Sequence, residues 1–180
     1  MSMSERLPNP IDAGRIVLTP LRVSGADEMV AVLSSPELYV HGGEPPTLDR
    51  LRRRYSDLVV GHSPDLMQEW LNWIVRLKGR HAAAVGTVQA TIMREDGRAE
   101  VAWIIGADWQ GHGYGSEAAA AMVHALIEAG APWVTVHIHP DHGASQAVAR
   151  ACRLSPTEEF LDGERWEWRS DGRAGDLPRR

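Results

Sequence analysis

The stretch Gln110-Gly111-His112-Gly113-Tyr114-Gly115-Ser116 restricts this chain more than any other part of it. It follows an apolar run over residues 99–105 and leads into an alanine-rich segment of helical composition. Glycines at alternate positions let the main chain turn sharply and let a ligand reach the backbone without Cβ atoms in the way. A helix beginning at Ser116 aims its unpaired N–H groups and the positive end of its dipole back at the loop. Strand, glycine loop and helix N-terminus together form an anion cradle whose usual guest is a phosphate.

Spacing narrows the choice of phosphate. A Walker loop needs a lysine after its glycines, and none follows here. A dinucleotide fingerprint needs a third glycine where Ser116 stands and an acidic residue at the end of the next strand, where this chain has histidines. The pattern that remains is Gln-x-x-Gly-x-Gly, met by Gln110, Gly113 and Gly115. It resembles the acyl-CoA pyrophosphate loop of the GNAT superfamily of N-acyltransferases.

The rest of the chain is read against that loop. Its 180 residues suit one domain with a real core, and 43% hydrophobic with 24% charged residues is ordinary for a globular protein. A net charge of −5 argues against a general nucleic-acid partner. Cys152 is the one cysteine, so neither an internal disulfide nor a cysteine-built zinc site is expected, which suits a cytoplasmic protein with a buried, inert thiol. No run reaches the length of a signal core or a membrane span, so no membrane partner is expected.

Residues 1–13 read as a lead-in, 14–169 as the domain and 170–180 as a flexible polar tail. Pro20 marks residues 15–22 as an edge strand, and residues 25–33 as a short helix with acidic residues in its first turn. A loop over 40–46 leads to a helix capped by Thr47, with Leu48, Leu51, Tyr55 and Leu58 at helical spacing. Its Arg52-Arg53-Arg54 run reads as a solvated face rather than a ligand site. Strands follow over 70–77, 82–93 and 98–105, the last two joined at Asp96-Gly97. After the loop come a helix over 116–129, a strand over 133–139, a helix over 144–153, and two strands about Asp162-Gly163.

This order, β-α-α-β-β-β-α-β-α-β-β, resembles the GNAT arrangement from about residue 15 to 169. The phrase Arg15-x-x-Leu18-x-Pro20-Leu21 is similar to the branch containing ribosomal-protein alanine N-acetyltransferases. The resemblance implies an α/β (α+β) GNAT fold: a central mixed, mostly antiparallel sheet, splayed between the fourth and fifth strands and flanked by helices. It also implies acetyl-CoA as co-substrate without a metal. Trp103, Ile104 and Ile105 would offer backbone groups to the pantetheine arm. Gln110, Gly111, His112, Gly113, Tyr114, Gly115 and Ser116 would hold the pyrophosphate, with His112 where relatives often carry Arg or Lys. His142 stands at the family's asparagine position beside the coenzyme.

Acyl transfer to an amine needs a free lone pair, and an alkylamine of pKa about 10.4 must first lose a proton. Glu100, on the strand before the loop, is the first candidate base; a surface glutamate paired across the sheet is the alternative. His137 is the second, at a position where peptide N-terminal acetyltransferases carry a glutamate; a packed strand histidine is its alternative. A backbone N–H near Ile104 would meet the oxyanion. The family's acidic tyrosine position is Ala149 and its Gly-Phe phrase is Arg153-Leu154, which leaves Ser145 or water to meet the thiolate. His41, with Gly42 and Gly43, is placed at the border of the acceptor pocket, and the seven tryptophans are read as packing residues.

Two other readings stand beside this one. A chain that kept the cradle and lost the tyrosine could be a non-catalytic acyl-CoA-binding or interaction module. His137-x-His139-x-Asp141-His142 resembles the metal signature of metallo-β-lactamase-type hydrolases, although residues 143–180 lack the further histidines and the length that such a fold requires. The expected acceptor is an amine-bearing small molecule or a protein N-terminus. Trp166 and Trp168, on one strand face, are either core or a homodimer contact.

Overall fold

The computed structural model describes residues 2–79, 81–161 and 165–170. Eight strands form one sheet in the order β1-β2-β3-β4-β5-β6-β8-β7. They are β1 (Ile11–Ala13), β2 (Ile16–Pro20), β3 (Gln68–Leu77), β4 (Ala84–Met93), β5 (Ala99–Ile105), β6 (Val134–Ile138), β7 (Ser155–Leu161) and β8 (Arg165–Arg169). Every pairing is antiparallel except that of β5 with β6. That parallel pair joins only Ala99 to Val134 and Glu100 to Thr135. Beyond those two rungs the strands part, where the family resemblance puts the splay.

Helices α1 (Met3–Arg6), α4 (Tyr114–Glu128) and α5 (Gly143–Ala151) cover one face of the sheet, and α2 (Ala26–Val32) and α3 (Leu48–Leu58) cover part of the other. Strand alternation sorts the side chains between them. Leu71, Trp73 and Val75 of β3, with Val88, Ala90 and Ile92 of β4, face the α4 layer. Ile74 and Ile104 face α2 and α3 and pack with Met29, Leu51 and Tyr55. The alanines of α4 let it lie close to the sheet, while Met122, Val123 and Leu126 are fully buried, each worth about 1.5–3 kcal/mol. Thr47 caps α3 by accepting from the Arg50 N–H at 3.3 Å, as its position predicts.

The N-terminal stretch is built into the fold rather than leading up to it. Met3, Leu7 and Ile11 are buried in the main core, and buried Glu69 accepts the N–H groups of Met3 (3.0 Å) and Ser4 (2.8 Å). Because β1 pairs along β2, the strand holding Pro20 is not the sheet edge; Pro20 is tolerated as its last residue. At the other end Ser170 exchanges hydrogen bonds with Val134 and belongs to the sheet. The Asp162-Gly163 turn and residues 171–180 lie outside the described residues. Cys152 is buried, and burial pushes its thiol up to about 12, consistent with an inert packing residue.

Candidate active site

The chain leaves β5 through a single 3-10 turn (Ala107–Trp109) and enters the glycine loop. Gly111 and Gly113 have φ of 77° and 82°, a backbone that L side chains rarely adopt. Gly113 is the N-cap of α4, so the helix starts at Tyr114, two residues before the predicted Ser116. The reversal at Gly113 has by then aligned the chain. Gly115 serves packing instead: a Cβ there would lie 3.4 Å from Ile105 Cγ1 and 3.5 Å from Val148 Cγ2. A Cβ on Gly111 would meet nothing within 4 Å, so the mouth of the loop is open. Glu117 N–H makes the helix's first backbone bond, to Gly113 O at 3.1 Å, leaving the N–H groups of residues 114–116 without intrahelical acceptors.

Side chains brace this loop from outside. Gln110 Nε2 donates to Ile105 O at 3.0 Å, tying the loop to the end of β5. His112 folds back, its Nδ1 2.9 Å from Gln110 O and its ring stacked on Tyr114. Arg15 reaches the loop from the start of β2. Its Nη2 donates to His112 O at 3.0 Å, its Nε to Glu117 at 2.9 Å, and its guanidinium lies 4.9 Å from the Tyr114 ring centre.

The end of β5, the loop and α5 enclose a cleft of about 490 Å³. Trp103, Ile104, Ile105, Gln110, Gly111, Gly113, Tyr114, Gly115, Ser116, His142 and Ser145 all line it, and residues of the 37–41 segment form its far wall. The three β5 residues play different parts. Gly106 N–H donates to Val85 O, and the unbroken β4–β5 register pairs Ile104 with Thr87. Ladder alternation therefore turns the Ile104 N–H toward β4, and those of Trp103 and Ile105 toward the gap beside β6. The N–H groups beside Ile104 that do not bond to β4 are thus those of its two neighbours.

A family model, the GNAT acetyltransferase domain, matches residues 15–155. The chain belongs to the GNAT acetyltransferase family. Solved acetyltransferases share its fold at low identity. RimL, a ribosomal-protein α-N-acetyltransferase in complex with coenzyme A, superposes with a TM-score of 0.75 at 14% identity, over 92% of this chain and 100% of that one. MccE, the microcin C7 self-immunity acetyltransferase in complex with acetyl-CoA and AMP, gives 0.73 at 15%, over 93% and 98%. A Salmonella typhimurium acetyltransferase that modifies the N-terminal serine of a 50S ribosomal subunit protein gives 0.71 at 13%, over 90% and 98%. No curated protein matches the chain in sequence.

In this acetyltransferase the two candidate bases are neighbours. His137 Nδ1 lies 3.3 Å from Glu100 Oε1, and its Nε2 lies 3.9 Å from Glu167 Oε2, since β8 sets Glu167 opposite His137. The buried Nδ1 makes no hydrogen bond among the described residues, Glu100 included. His139 and His142 lie elsewhere, clustered with His41 at ring separations of 4.4 and 4.9 Å. The His-x-His-x-Asp-His string is thus divided between two places, and no three metal-ligating side chains among the described residues are arranged to hold an ion. The hydrolase signature is not assembled.

His142 caps α5, its Nδ1 accepting the Ser145 N–H at 3.3 Å, with Nε2 3.3 Å from Ser145 Oγ. Accepting at Nδ1 puts the proton of a neutral ring on Nε2, which then donates to Ser145 Oγ and leaves the serine hydrogen free for the cleft. Burial, aided by the neighbouring His41 charge, holds the His142 pKa below 6.5. Ala149, at the tyrosine position, is wholly buried.

A second cavity of about 360 Å³ lies beneath α3 and shares Trp103 and Ile104 with the first. Gly42 and Gly43 line this one, whereas His41 lines the first. Sequence reasoning missed Arg15, Glu167 and this cavity's polar residues. Arg15 was visible only as part of a family phrase, and Glu167 only through the strand pairing.

Proposed function

We propose that this acetyltransferase moves an acetyl group from acetyl-CoA to a primary amine by direct attack within a ternary complex. The observation that carries the reading is the open glycine loop sharing one cleft with the end of β5, past its two rungs with β6. The N–H groups of residues 114–116 and the positive end of α4 suit the coenzyme diphosphate. The N–H groups of Trp103 and Ile105 suit an extended amide-bearing arm. The thioester then lies where the two cavities meet at Trp103 and Ile104, with the amine arriving through the cavity under α3.

Glu100 and His137 line neither cavity, so the amine's proton passes to them through water, and the two, 3.3 Å apart, act as one proton-accepting set. One of the gap-facing N–H groups meets the oxyanion as the tetrahedral intermediate forms. The departing thiolate, of pKa about 8.5, needs little help. The Ser145 hydroxyl, oriented by His142, supplies a hydrogen bond to it.

Titration calorimetry with acetyl-CoA, followed by thiol release against a panel of primary amines, tests the proposal. Saturable binding and amine-dependent release are expected. Absence of heat with acetyl-CoA overturns it.

A further inference from the structure

We propose that the amine accepted by this enzyme carries a carboxylate, which Arg54 and the Tyr55 hydroxyl receive in the cavity beneath α3. The inference rests on the preceding reading that this cavity takes the acceptor.

Tyr55 lines the cavity and is 3% exposed. Its hydroxyl is buried and has no hydrogen-bond partner among the described residues, whereas the nearby Tyr39 hydroxyl donates to Leu33 O at 3.0 Å. An orphan hydroxyl inside a protein is unfavourable unless a water or a ligand supplies its acceptor. Burial pushes the Tyr55 phenol up to about 12, so it stays protonated and a donor.

The adjacent arginine adds a charge. Arg50 pairs with Glu44 and Arg52 with Asp27, but Arg54 makes no ion pair or side-chain hydrogen bond among the described residues. Glu44 is the one carboxylate among the residues lining this cavity, and Arg50 engages it. One uncompensated positive charge therefore faces the space. The Arg52-Arg53-Arg54 run is not uniformly a solvated face: its third member borders a site.

The floor completes the fit. Asn72 and Gln89 sit opposite each other on β3 and β4, and neither side-chain amide is hydrogen-bonded among the described residues. They line the same cavity as Arg54 and Trp103, the latter where the thioester is expected. About 360 Å³ suits a molecule of amino-acid size, with its amine at Trp103 and its carboxylate at Arg54. A polyamine would meet an unopposed cation instead.

The test uses the full chain and matched pairs that differ only in charge: 4-aminobutanoate with 4-aminobutanamide, 6-aminohexanoate with 6-aminohexanamide, and α-amino acids with their amides. Binding to the coenzyme-free protein is followed by tryptophan fluorescence, because Trp73 and Trp103 line the cavity. Thiol release is measured separately. Acids are expected to exceed their amides by roughly ten- to a hundredfold in affinity, and in kcat/KM for the ω-amino pairs. Arg54→Gln should bring that ratio close to one while leaving the acetyl-CoA Kd unchanged. Tyr55→Phe should weaken acid binding without lowering Tm, since it removes an unsatisfied group; a purely structural tyrosine would not weaken the acids selectively. Amides binding as well as acids, or no acid binding at all, overturns the inference. Amine turnover without acid preference sinks this inference alone, whereas failure to bind acetyl-CoA sinks the transferase mechanism and leaves the fluorescence comparison to decide this one.

Discussion

Gly113→Glu puts the cradle to its most direct trial. At φ of 82° a side chain costs about 1–2 kcal/mol. A carboxylate at the N-cap of α4 recovers about 0.3–1 kcal/mol from the helix dipole. The free protein should therefore lose only about 1 kcal/mol, or about 2–4 °C in Tm for a domain of this size. The coenzyme faces a different sum. A carboxylate about 5 Å from a phosphate charge costs about 1–3 kcal/mol, by Coulomb's law at an effective dielectric of about 80 to 20. Each charge-assisted main-chain bond lost adds about 1.5–3 kcal/mol. A new Cβ would lie 3.4 Å from Arg15 Nη2, so the glutamate can also draw that guanidinium off His112 O. Acetyl-CoA affinity should fall at least a hundredfold by calorimetry, with far-ultraviolet circular dichroism unchanged. Gly113→Gln, equally strained but uncharged, should lose clearly less. A Gly113→Glu protein that binds acetyl-CoA within threefold of wild type would refute the placement of the diphosphate.

Three further outcomes are expected. Glu100→Gln and His137→Gln should each lower kcat about ten- to a hundredfold with acetyl-CoA Kd unchanged, and the double variant should be little worse than either single, because the groups act as one set; additive losses in single-turnover rates would separate them. Arg15→Gln should weaken acetyl-CoA binding several-fold by calorimetry with a small change in Tm, since the exposed ion pair to Glu117 adds little stability while the bond to His112 O fixes the loop. The third concerns pH: His142 has a folded pKa below its unfolded 6.5, so the unfolded chain binds the extra proton first and stability must fall as pH drops below about 6.5 toward the folded value. Tm measured from pH 7.5 to 5 should decline less steeply in His142→Asn, and identical slopes would exclude this histidine as a source.

Local signals carried much of the fold. Thr47 before Leu48, Asp96-Gly97 between strands, and the glycines before an alanine-rich helix each act within a few residues, so each is readable in sequence. Residues 3–13 were misread because a four-residue helix and a three-residue strand are too short to show a period, and Pro8 and Pro10 suggest a loop. Their order comes from Glu69, far along the chain. The glycine loop before α4 was legible for the same reason that Thr47 was. The joining of Glu100 to His137 was not, since parallel pairing of β5 with β6 brings together residues that sequence could only rank as rivals. The cavity under α3 depends on α3, the 39–46 loop, β3, β4, β5 and two single leucines converging, and no single stretch announces it.

The two-rung pairing of β5 with β6 has a structural corollary. Most sheets keep their unsatisfied rim on the outside, where other polypeptides can add to it. This domain also has a rim in its interior, between strands that begin at ordinary sheet spacing of about 4.8 Å and then separate. An incoming β-strand carries side chains on both faces, which would have to fit between α5 and the 37–41 segment. On the proposed mode of binding, a slender amide-bearing chain makes smaller steric demands there, and the fold would select by cross-section before any functional group is read.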